Sequence, residues 1–223
     1  MPPVPRADTP AEQFSIDRYR RPDRQRVRDI CVQTCWMGSY DASALPDDWI
    51  WAEYWTRYFT DVESNLSWVT RDENGEAVGY LTGTVDEARF NAYVPRLVPG
   101  IVWRAIRKRI VRSPRARRSV RAMVGAMVRG DLAIPPSLQR SYPAALHINL
   151  LAQVRGHAMG RRLVETFLDA LSADGVHAQT LSANVSANAL FERTGFRLAA
   201  SKTTRAYAHL DPSPMEIHTW VRA

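Results

Sequence analysis

The chain has 223 residues, of which 45% are hydrophobic, so it can bury a sizeable core and is too apolar for global disorder. It contains no run of 18 apolar residues, and no transmembrane helix is expected. The net charge of +7 is concentrated in one place: residues 88–130 hold twelve Arg or Lys and no Asp or Glu, which leaves 18 basic and 23 acidic residues elsewhere. Basicity is therefore a property of one segment, not of the whole chain.

The N-terminal residues and the two cysteines argue against three further features: a signal peptide, a disulfide and a metal site. Residues 1–13 are rich in proline and lack the apolar stretch of a signal peptide, so we predict a flexible tail. Cys31 and Cys35 are spaced as on one helix face, a poor geometry for a disulfide. Neither a CxxC motif nor a histidine cluster accompanies them, so no metal site is expected. Two thiols without a disulfide favour a reducing, cytoplasmic environment.

The first part of the chain is predicted to form a strand, two helices and a hairpin. Residues 14–19 alternate in polarity as a strand does, and helical patterns begin at Pro22-Asp23 and at Pro46-Asp47-Asp48. Residues 66–70 and 77–85 are strands joined by a turn around Gly75. The second helix carries an aromatic stripe, which is either core or the wall of a cleft: Trp49, Ile50, Trp51, Tyr54, Trp55, Tyr58 and Phe59.

The basic segment is predicted to be helical, and the rest of the chain to contain further strands and helices. Two helices are predicted, at 99–112 and 115–129, broken at Ser113-Pro114 and followed by a loop at 131–143. Strands and helices then alternate before two final strands. We predict a strand at 145–151, an amphipathic helix at 158–172 capped by Gly175, a strand at 178–182, a helix at 186–193 ended by Gly195, and strands at 196–200 and 215–221.

The turn between the strand at 145–151 and the helix at 158–172 is the most informative stretch. Gly156 and Gly160 let the backbone turn tightly and approach a ligand. Free amides at the start of a helix, together with the helix dipole, form a site for phosphate. Arg155 and Arg161 add positive charge. The glycine spacing matches neither a dinucleotide fingerprint nor a Walker A loop, and a simple helix cap is the alternative interpretation.

This turn resembles the acyl-CoA signature of the GNAT superfamily of N-acyltransferases, Q/R-x-x-G-x-G/A, with Gln153, Gly156 and Ala158 at its fixed places. The downstream residues Asn184, Ala187, Glu192, Gly195 and Phe196 resemble a second family pattern, N-x-x-A-x-x-F-Y-E-x-x-G-F, with Leu190 at its first aromatic place. The order of predicted elements agrees as well. A narrower likeness, to bacterial acetyltransferases related to the acetyltransferase-like domain of some O-GlcNAc hydrolases, is carried by residues 142–151 with Ile30-Cys31, Thr34, Gly79-Tyr80 and Asp86.

The resemblance implies an α/β (α+β) fold. Its central sheet is mixed, mostly antiparallel and twisted, splayed at the signature strand, with helices on both faces. Residues 14–223 would form one such domain, including a basic helical insertion at residues 91–140, hereafter the basic insertion. The cosubstrate would be acetyl-CoA, with no metal. The residues expected to contact it are Leu150, Leu151, Gln153, Val154, Arg155, Gly156, His157, Ala158, Met159, Gly160, Arg161, Asn184 and Phe191.

The implied reaction is direct attack of an amine on the thioester, with a small-molecule or peptide amine as acceptor. Candidate general bases are His147 and Asp86, although a histidine bonded into the sheet and an aspartate in a solvated turn are the alternatives. Phe191 stands where the family has a tyrosine acid, and phenylalanine has no proton to give. A non-catalytic acyl-CoA-binding or regulatory module therefore remains the alternative function.

The basic insertion has three interpretations. It is a lid beside the acceptor cleft whose arginines place an acidic acceptor or the CoA phosphates, an anchor on an anionic membrane surface, or a nucleic-acid contact. The absence of a helix-turn-helix, zinc finger or RNA-binding motif disfavours the third. The predicted location is the cytoplasm, with a peripheral membrane position open. A homodimer through an exposed sheet edge also stays open.

Overall fold

Seven strands form one sheet in this computed structural model, which describes residues 13–211 and 213–223. All of the predicted tail except residue 13 lies outside the described residues. The strands are β1 (Phe14–Arg18), β2 (Ser67–Asp72), β3 (Ala77–Thr84), β4 (Ala144–Leu150), β5 (Val176–Leu181), β6 (Arg197–Thr204) and β7 (Met215–Arg222). Their order is β1-β2-β3-β4-β5-β7-β6, and every neighbouring pair is antiparallel except β4 and β5. The predicted mixed, mostly antiparallel sheet is confirmed.

Helices cover both faces of this sheet. They are α1 (Arg24–Gln33), α2 (Asp48–Asp61), α3 (Glu87–Arg107), α4 (Pro114–Arg129), α5 (Pro136–Ser141), α6 (Met159–Ala170) and α7 (Val185–Arg193). On one face, Val27 and Ile30 of α1 pack with Tyr80 of β3. On the other, Phe167 of α6 and Phe191 of α7 belong to the main apolar core. All eight residues of β3 are buried, because helices lie above and below it.

A buried ion pair fixes the orientation of α1 relative to α2. Arg28 Nη2 lies 2.5 Å from Glu53 Oε2, and both side chains are less than a tenth exposed. Arg57 contacts the other carboxylate oxygen of Glu53. A buried carboxylate with two cationic partners is satisfied, whereas removing Glu53 would leave the buried Arg28 guanidinium without its counter-charge.

The helix at the start of the basic insertion differs from the prediction. α3 begins at Glu87, not at residue 99, and continues through Pro95 and Pro99. Its Phe90 packs against α2, with ring centroids 5.3 Å from Phe59 and 5.7 Å from Tyr58. This packing outweighs the local cost of proline inside a helix. The predicted break at Ser113-Pro114 is confirmed, since Ser113 caps α4, but the short helix α5 lies where a loop was expected.

The predicted role of Gly175 as a helix cap is wrong. α6 ends at Ala170. A Cβ atom at Gly175 would lie 2.6 Å from Tyr142 Cδ1 and 2.9 Å from the Ser141 carbonyl oxygen. The glycine is therefore required by the close approach of two chain segments. Within the described ranges, no helix combines the length and the apolarity needed to cross a membrane.

Candidate active site

A gap opens between the two parallel strands at the centre of the sheet. β4 pairs with β5 only at Ala144–Val176 and Ala145–His177, although both strands continue beyond these positions. On its other edge β4 pairs with β3 as far as Leu150. From residue 146 onward, the edge of β4 that faces β5 therefore has no strand partner. Such an edge can hydrogen bond to an extended ligand as it would to another strand.

The turn that follows β4 lies at the end of this gap. A single 3-10 turn, Ala152–Val154, leads into Gly156 (φ +88°) and Ala158 (φ +58°), both in the left-handed region. A Cβ atom at Gly156 would meet nothing within 4 Å, so the glycine is required for the backbone conformation and not for space. Among the described residues, the amides of Gly156 and Ala158 donate to no backbone carbonyl. Together with the first-turn amides of α6, they can receive an anion.

Two buried side chains anchor this turn to the protein. Val154 and Met159 are almost completely buried in a cluster with Phe14 and Val78. Gly160 brings α6 close to β4, because a Cβ atom there would lie 3.2 Å from Leu150 Cδ1. Predicted cosubstrate residues beside and between these anchors are exposed: Gln153, Arg155, Gly156, His157, Ala158 and Arg161. The sequence thus alternates anchoring residues with residues that face solvent.

Two arginines of this region are held by protein groups. The Arg155 guanidinium donates to the carbonyl oxygen of Gly38 and, at 3.4 Å, to that of Leu150. Arg161 pairs with Glu165 at 2.7 Å on the next turn of α6. Because both side chains already have partners, the backbone amides are the main unpartnered donors of the turn itself.

The predicted residues of α7 lie on the far side of the gap. Asn184 caps α7 by accepting from the Ala187 amide at 3.2 Å. Phe191 is buried, with its ring centroid 5.1 Å from that of Phe196. Asn188, which the sequence analysis did not consider, ties α7 to the end of β5: its side-chain amide donates to the carbonyl oxygens of Leu181 and Ser182 at 3.2 and 2.9 Å.

His147 lies in a polar cluster on the α1–α2 face of β4. Asn149 is on the same face, as alternation predicts, with its Nδ2 3.4 Å from His147 Nε2. The Tyr80 hydroxyl lies 3.4 Å from His147 Nδ1 and accepts from Asn149 Nδ2 at 2.8 Å. Trp55 of α2 stacks on the imidazole with a centroid distance of 5.1 Å. Burial lowers the pKa of His147 to about 4, so the imidazole is neutral near pH 7.

The contribution of α2 to this cluster explains the aromatic stripe of that helix. Trp51 and Trp55 turn toward the sheet and join the cluster around Tyr80. Tyr58 and Phe59 turn toward α3 instead. Both groups pack in apolar clusters, so the core interpretation of the stripe is confirmed, and the cleft interpretation stays a prediction. Sequence reasoning did not assign Trp55 and Tyr80 to the site, because their neighbours come from distant parts of the chain.

Asp86 lies apart from the His147 cluster. Its carboxylate caps α3 by accepting from the Ala88 amide at 2.9 Å, and its backbone contacts Thr84 Oγ1. Within the part of the chain that the structure describes, Asp86 forms no hydrogen bond with His147, Tyr80 or Asn149. The two candidate bases are thus not brought together, and a catalytic role for either stays a prediction.

Comparisons with known proteins extend these observations. No protein-family model matches the chain. Among solved structures, it is similar to SsHAT at 30% identity and a TM-score of 0.67, over 93% of this chain and 97% of SsHAT. It also shares the fold of a GNAT superfamily phosphinothricin acetyltransferase from Sinorhizobium meliloti in complex with AcCoA, at 15% identity and a TM-score of 0.55 over 94% and 88% of the two chains. An agmatine N-acetyltransferase shares it too, at 17% identity and a TM-score of 0.57 over 94% and 99%.

Proposed function

The chain belongs to the GNAT superfamily of acetyltransferases, and on that premise we propose that it transfers an acetyl group from acetyl-CoA to an amine of a small molecule or peptide. The observation that carries the proposal is the gap between β4 and β5, which ends at a turn with unpartnered amides. Two of the similar proteins are named for amine-bearing small molecules, phosphinothricin and agmatine. These names support an amine acceptor and leave its identity open.

The gap and the turn fit the two chemical parts of the cosubstrate. The pantetheine arm carries amide groups, which an unpaired strand edge can hydrogen bond along β4 beyond Ala145. The pyrophosphate carries negative charge, which suits the amides of Gly156 and Ala158 and the dipole of α6. The predicted contacts from Leu150 to Arg161, with Asn184 and Phe191, belong to this proposal.

The proposed reaction joins the acceptor nitrogen to the thioester carbonyl carbon. The carbon–sulfur bond breaks, an amide forms, the nitrogen loses a proton, and the thiolate takes one up. In this proposal His147 receives the proton, because its neutral imidazole has a lone pair. A base with a pKa of about 4 is weak, and it would pass the proton to water at once. Asp86 would attract the cationic acceptor. Phe191 supplies no proton, so the thiolate leaves without help from that position.

Calorimetric titration of acetyl-CoA tests the binding half of the proposal. Gly156→Glu places a carboxylate beside the expected pyrophosphate, and we expect affinity to fall by about 100-fold through charge repulsion. Gly75→Glu is the matched control. It has the same left-handed backbone (φ +78°) and the same open space, in the β2–β3 turn. Equal affinity in both variants would contradict the assigned turn.

Release of free thiol from acetyl-CoA in the presence of an amine panel tests the chemical half. We expect wild-type turnover with at least one amine and a drop of about 100-fold in kcat for His147→Gln. Asp86→Asn retains the capping oxygen of α3 but removes the charge, so we expect it to raise KM for a cationic acceptor. If acetyl-CoA binds but no amine of the panel causes thiol release, the non-catalytic module would be favoured. The loss of activity would then be explained by Phe191, which stands where the family has a tyrosine.

A further inference from the structure

The two long helices of the basic insertion expose rows of apolar side chains. Of the twelve large hydrophobic residues exposed in the described structure, eight lie on α3 and α4. We name these the outer apolar rows: Val98, Val102, Trp103 and Ile106 on α3, and Val120, Val124, Met127 and Val128 on α4. Ile106 is 70% exposed and Val128 is 84% exposed. Apolar surface this concentrated marks a contact with something outside the folded domain.

Each row lies on a side of its helix that differs from the buried side. On α3, Phe90 and Leu97 are buried, whereas positions 98, 102 and 106 follow one another at four-residue intervals on the solvent side. On α4, Ser119 and Ala126 are buried on one side, whereas positions 120, 124 and 128 follow one another at four-residue intervals on another. The outer apolar rows are therefore not needed to hold the insertion on the protein.

Cationic side chains without acidic partners surround these rows. Residues 88–130 contain twelve basic side chains. Among the described residues, only Arg104 and Arg129 of these twelve form ion pairs with carboxylates, namely those of Asp47 and Asp131. The other basic residues are exposed: Arg89, Arg96, Arg107, Lys108, Arg109, Arg112, Arg115, Arg117, Arg118 and Arg121. Arg107 lies 5.0 Å over the Trp103 ring, which puts a guanidinium beside an exposed apolar side chain.

We propose that α3, α4 and the segment between them dock on an anionic lipid bilayer. Helices that lie on membranes have an apolar face next to lysines or arginines, with tryptophan at the boundary between acyl chains and headgroups. Here the outer apolar rows would enter that boundary. The arginines would extend toward lipid phosphates, each adding roughly 1 kcal/mol of electrostatic attraction.

A second copy of the chain fits this surface less well. A two-fold contact would place the patch on itself, and residues 88–130 have no Asp or Glu to meet the arginines of the other copy. Nucleic acid would satisfy the arginines but leave eight apolar side chains without a partner. A bilayer that is anionic at its surface and apolar beneath its headgroups matches both features.

The location of the surface relates it to the candidate active site. Arg104 holds α3 to the start of α2 through Asp47, with Nε–Oδ1 at 2.6 Å. Trp55 of α2 stacks on His147. A bound bilayer would therefore lie one helix away from the His147 cluster. The proposal stands independently of acetyl transfer, because it rests on the surface of the insertion alone.

Flotation of the full chain with vesicles tests this inference. One set of vesicles contains phosphatidylcholine alone, and the other contains roughly 30% phosphatidylglycerol, a strongly anionic surface. We expect binding to the anionic vesicles and little to the neutral ones. Ile106→Asp combined with Val128→Asp should weaken vesicle binding by about 100-fold, since each variant places a charge where an apolar side chain would enter the bilayer.

A matched control separates the apolar rows from net charge. Val62→Asp combined with Val185→Asp changes the net charge equally at residues 55% and 76% exposed, outside the insertion, and should leave most of the vesicle binding intact. Equal binding by the two double variants would overturn the role of the apolar rows. Failure of the wild type to bind anionic vesicles would overturn the proposal itself. The proposal would also be overturned if the protein formed a dimer, or a complex with a DNA duplex, and did not bind vesicles.

Discussion

The sheet with α1, α2, α6 and α7 differs from the basic insertion in where it puts charge and apolar surface. In the sheet and its helices, Arg28 is buried against Glu53, and Arg71 bridges Asp17 and Asp23 at 2.9 and 2.8 Å. In the insertion most arginines are exposed without an acidic partner, and large apolar residues face solvent. Folding therefore accounts for the composition of the first region but not for that of the second.

This difference shows which substitutions should affect stability. A charge that folding has removed from water depends on its partner, whereas an exposed charge can be removed with little effect. Substituting a glycine should likewise affect stability where a side chain would be crowded, and a titratable group should affect it where folding shifts its pKa. Stability measurements can thus separate residues retained for folding from residues retained for contact with another molecule.

The largest effect is expected at the buried ion pair. Glu53→Gln leaves the buried guanidinium of Arg28 without its counter-charge, and we expect the free energy of unfolding to fall by about 3 kcal/mol. Arg118→Gln, in the insertion, should leave it unchanged within error, because Arg118 is exposed. Urea unfolding of both variants at neutral pH measures this. Similar losses in the two variants would remove the distinction between the regions.

A smaller effect is expected from the titration of His147. Its pKa is about 4 in the folded protein and about 6.5 when unfolded, so the unfolded chain binds more protons between these values. Stability therefore falls as the pH drops through this window. On lowering the pH from 7 to 5, His147 should contribute a loss of about 2 kcal/mol.

His147→Gln isolates this contribution. Glutamine does not titrate, so the variant should lose about 2 kcal/mol less than the wild type between pH 7 and pH 5, again by urea unfolding. The comparison between proteins cancels the groups that titrate in both. The same pH dependence in the two proteins would mean that the pKa of His147 is the same in the folded and unfolded states.

The smallest effect compares two helical glycines. Gly100 of α3 has open surroundings, because a Cβ atom there would lie 4.0 Å from Trp49 Cη2. Gly100→Ala should therefore stabilise the protein by roughly 0.5–1 kcal/mol. Gly160 of α6 has Leu150 Cδ1 at 3.2 Å, so Gly160→Ala should cost about 1 kcal/mol and weaken acetyl-CoA binding. Thermal unfolding measures both. A stabilising Gly160→Ala would show that α6 has room to shift.

Local patterns predicted most of the sheet. The hairpin of β2 and β3 follows from the turn residues around Gly75, and α6 from its apolar spacing. The turn before α6 was found because its glycines and the residues beside them are contiguous. α3 was placed too late, since Pro95 and Pro99 indicate a boundary locally and only the packing of Phe90 on α2 removes it.

The environment of His147 depended on contacts that no local pattern contains. Alternation placed His147 and Asn149 on one face, and the hydrogen-bond distances agree with this. Trp55 and Tyr80 reach the imidazole from positions 92 and 67 residues earlier in the chain. The depressed pKa of His147 results from this burial, which spacing along the chain does not reveal.

The incomplete pairing of β4 with β5 has a consequence for the handling of the protein. Two paired positions hold the sheet together at its centre, and beyond them lie strand edges of the kind that recruit other chains into aggregates. A molecule that fills the gap would act as a temporary strand and protect the edges. Protein purified in the presence of CoA should accordingly resist precipitation during storage better than protein purified without it.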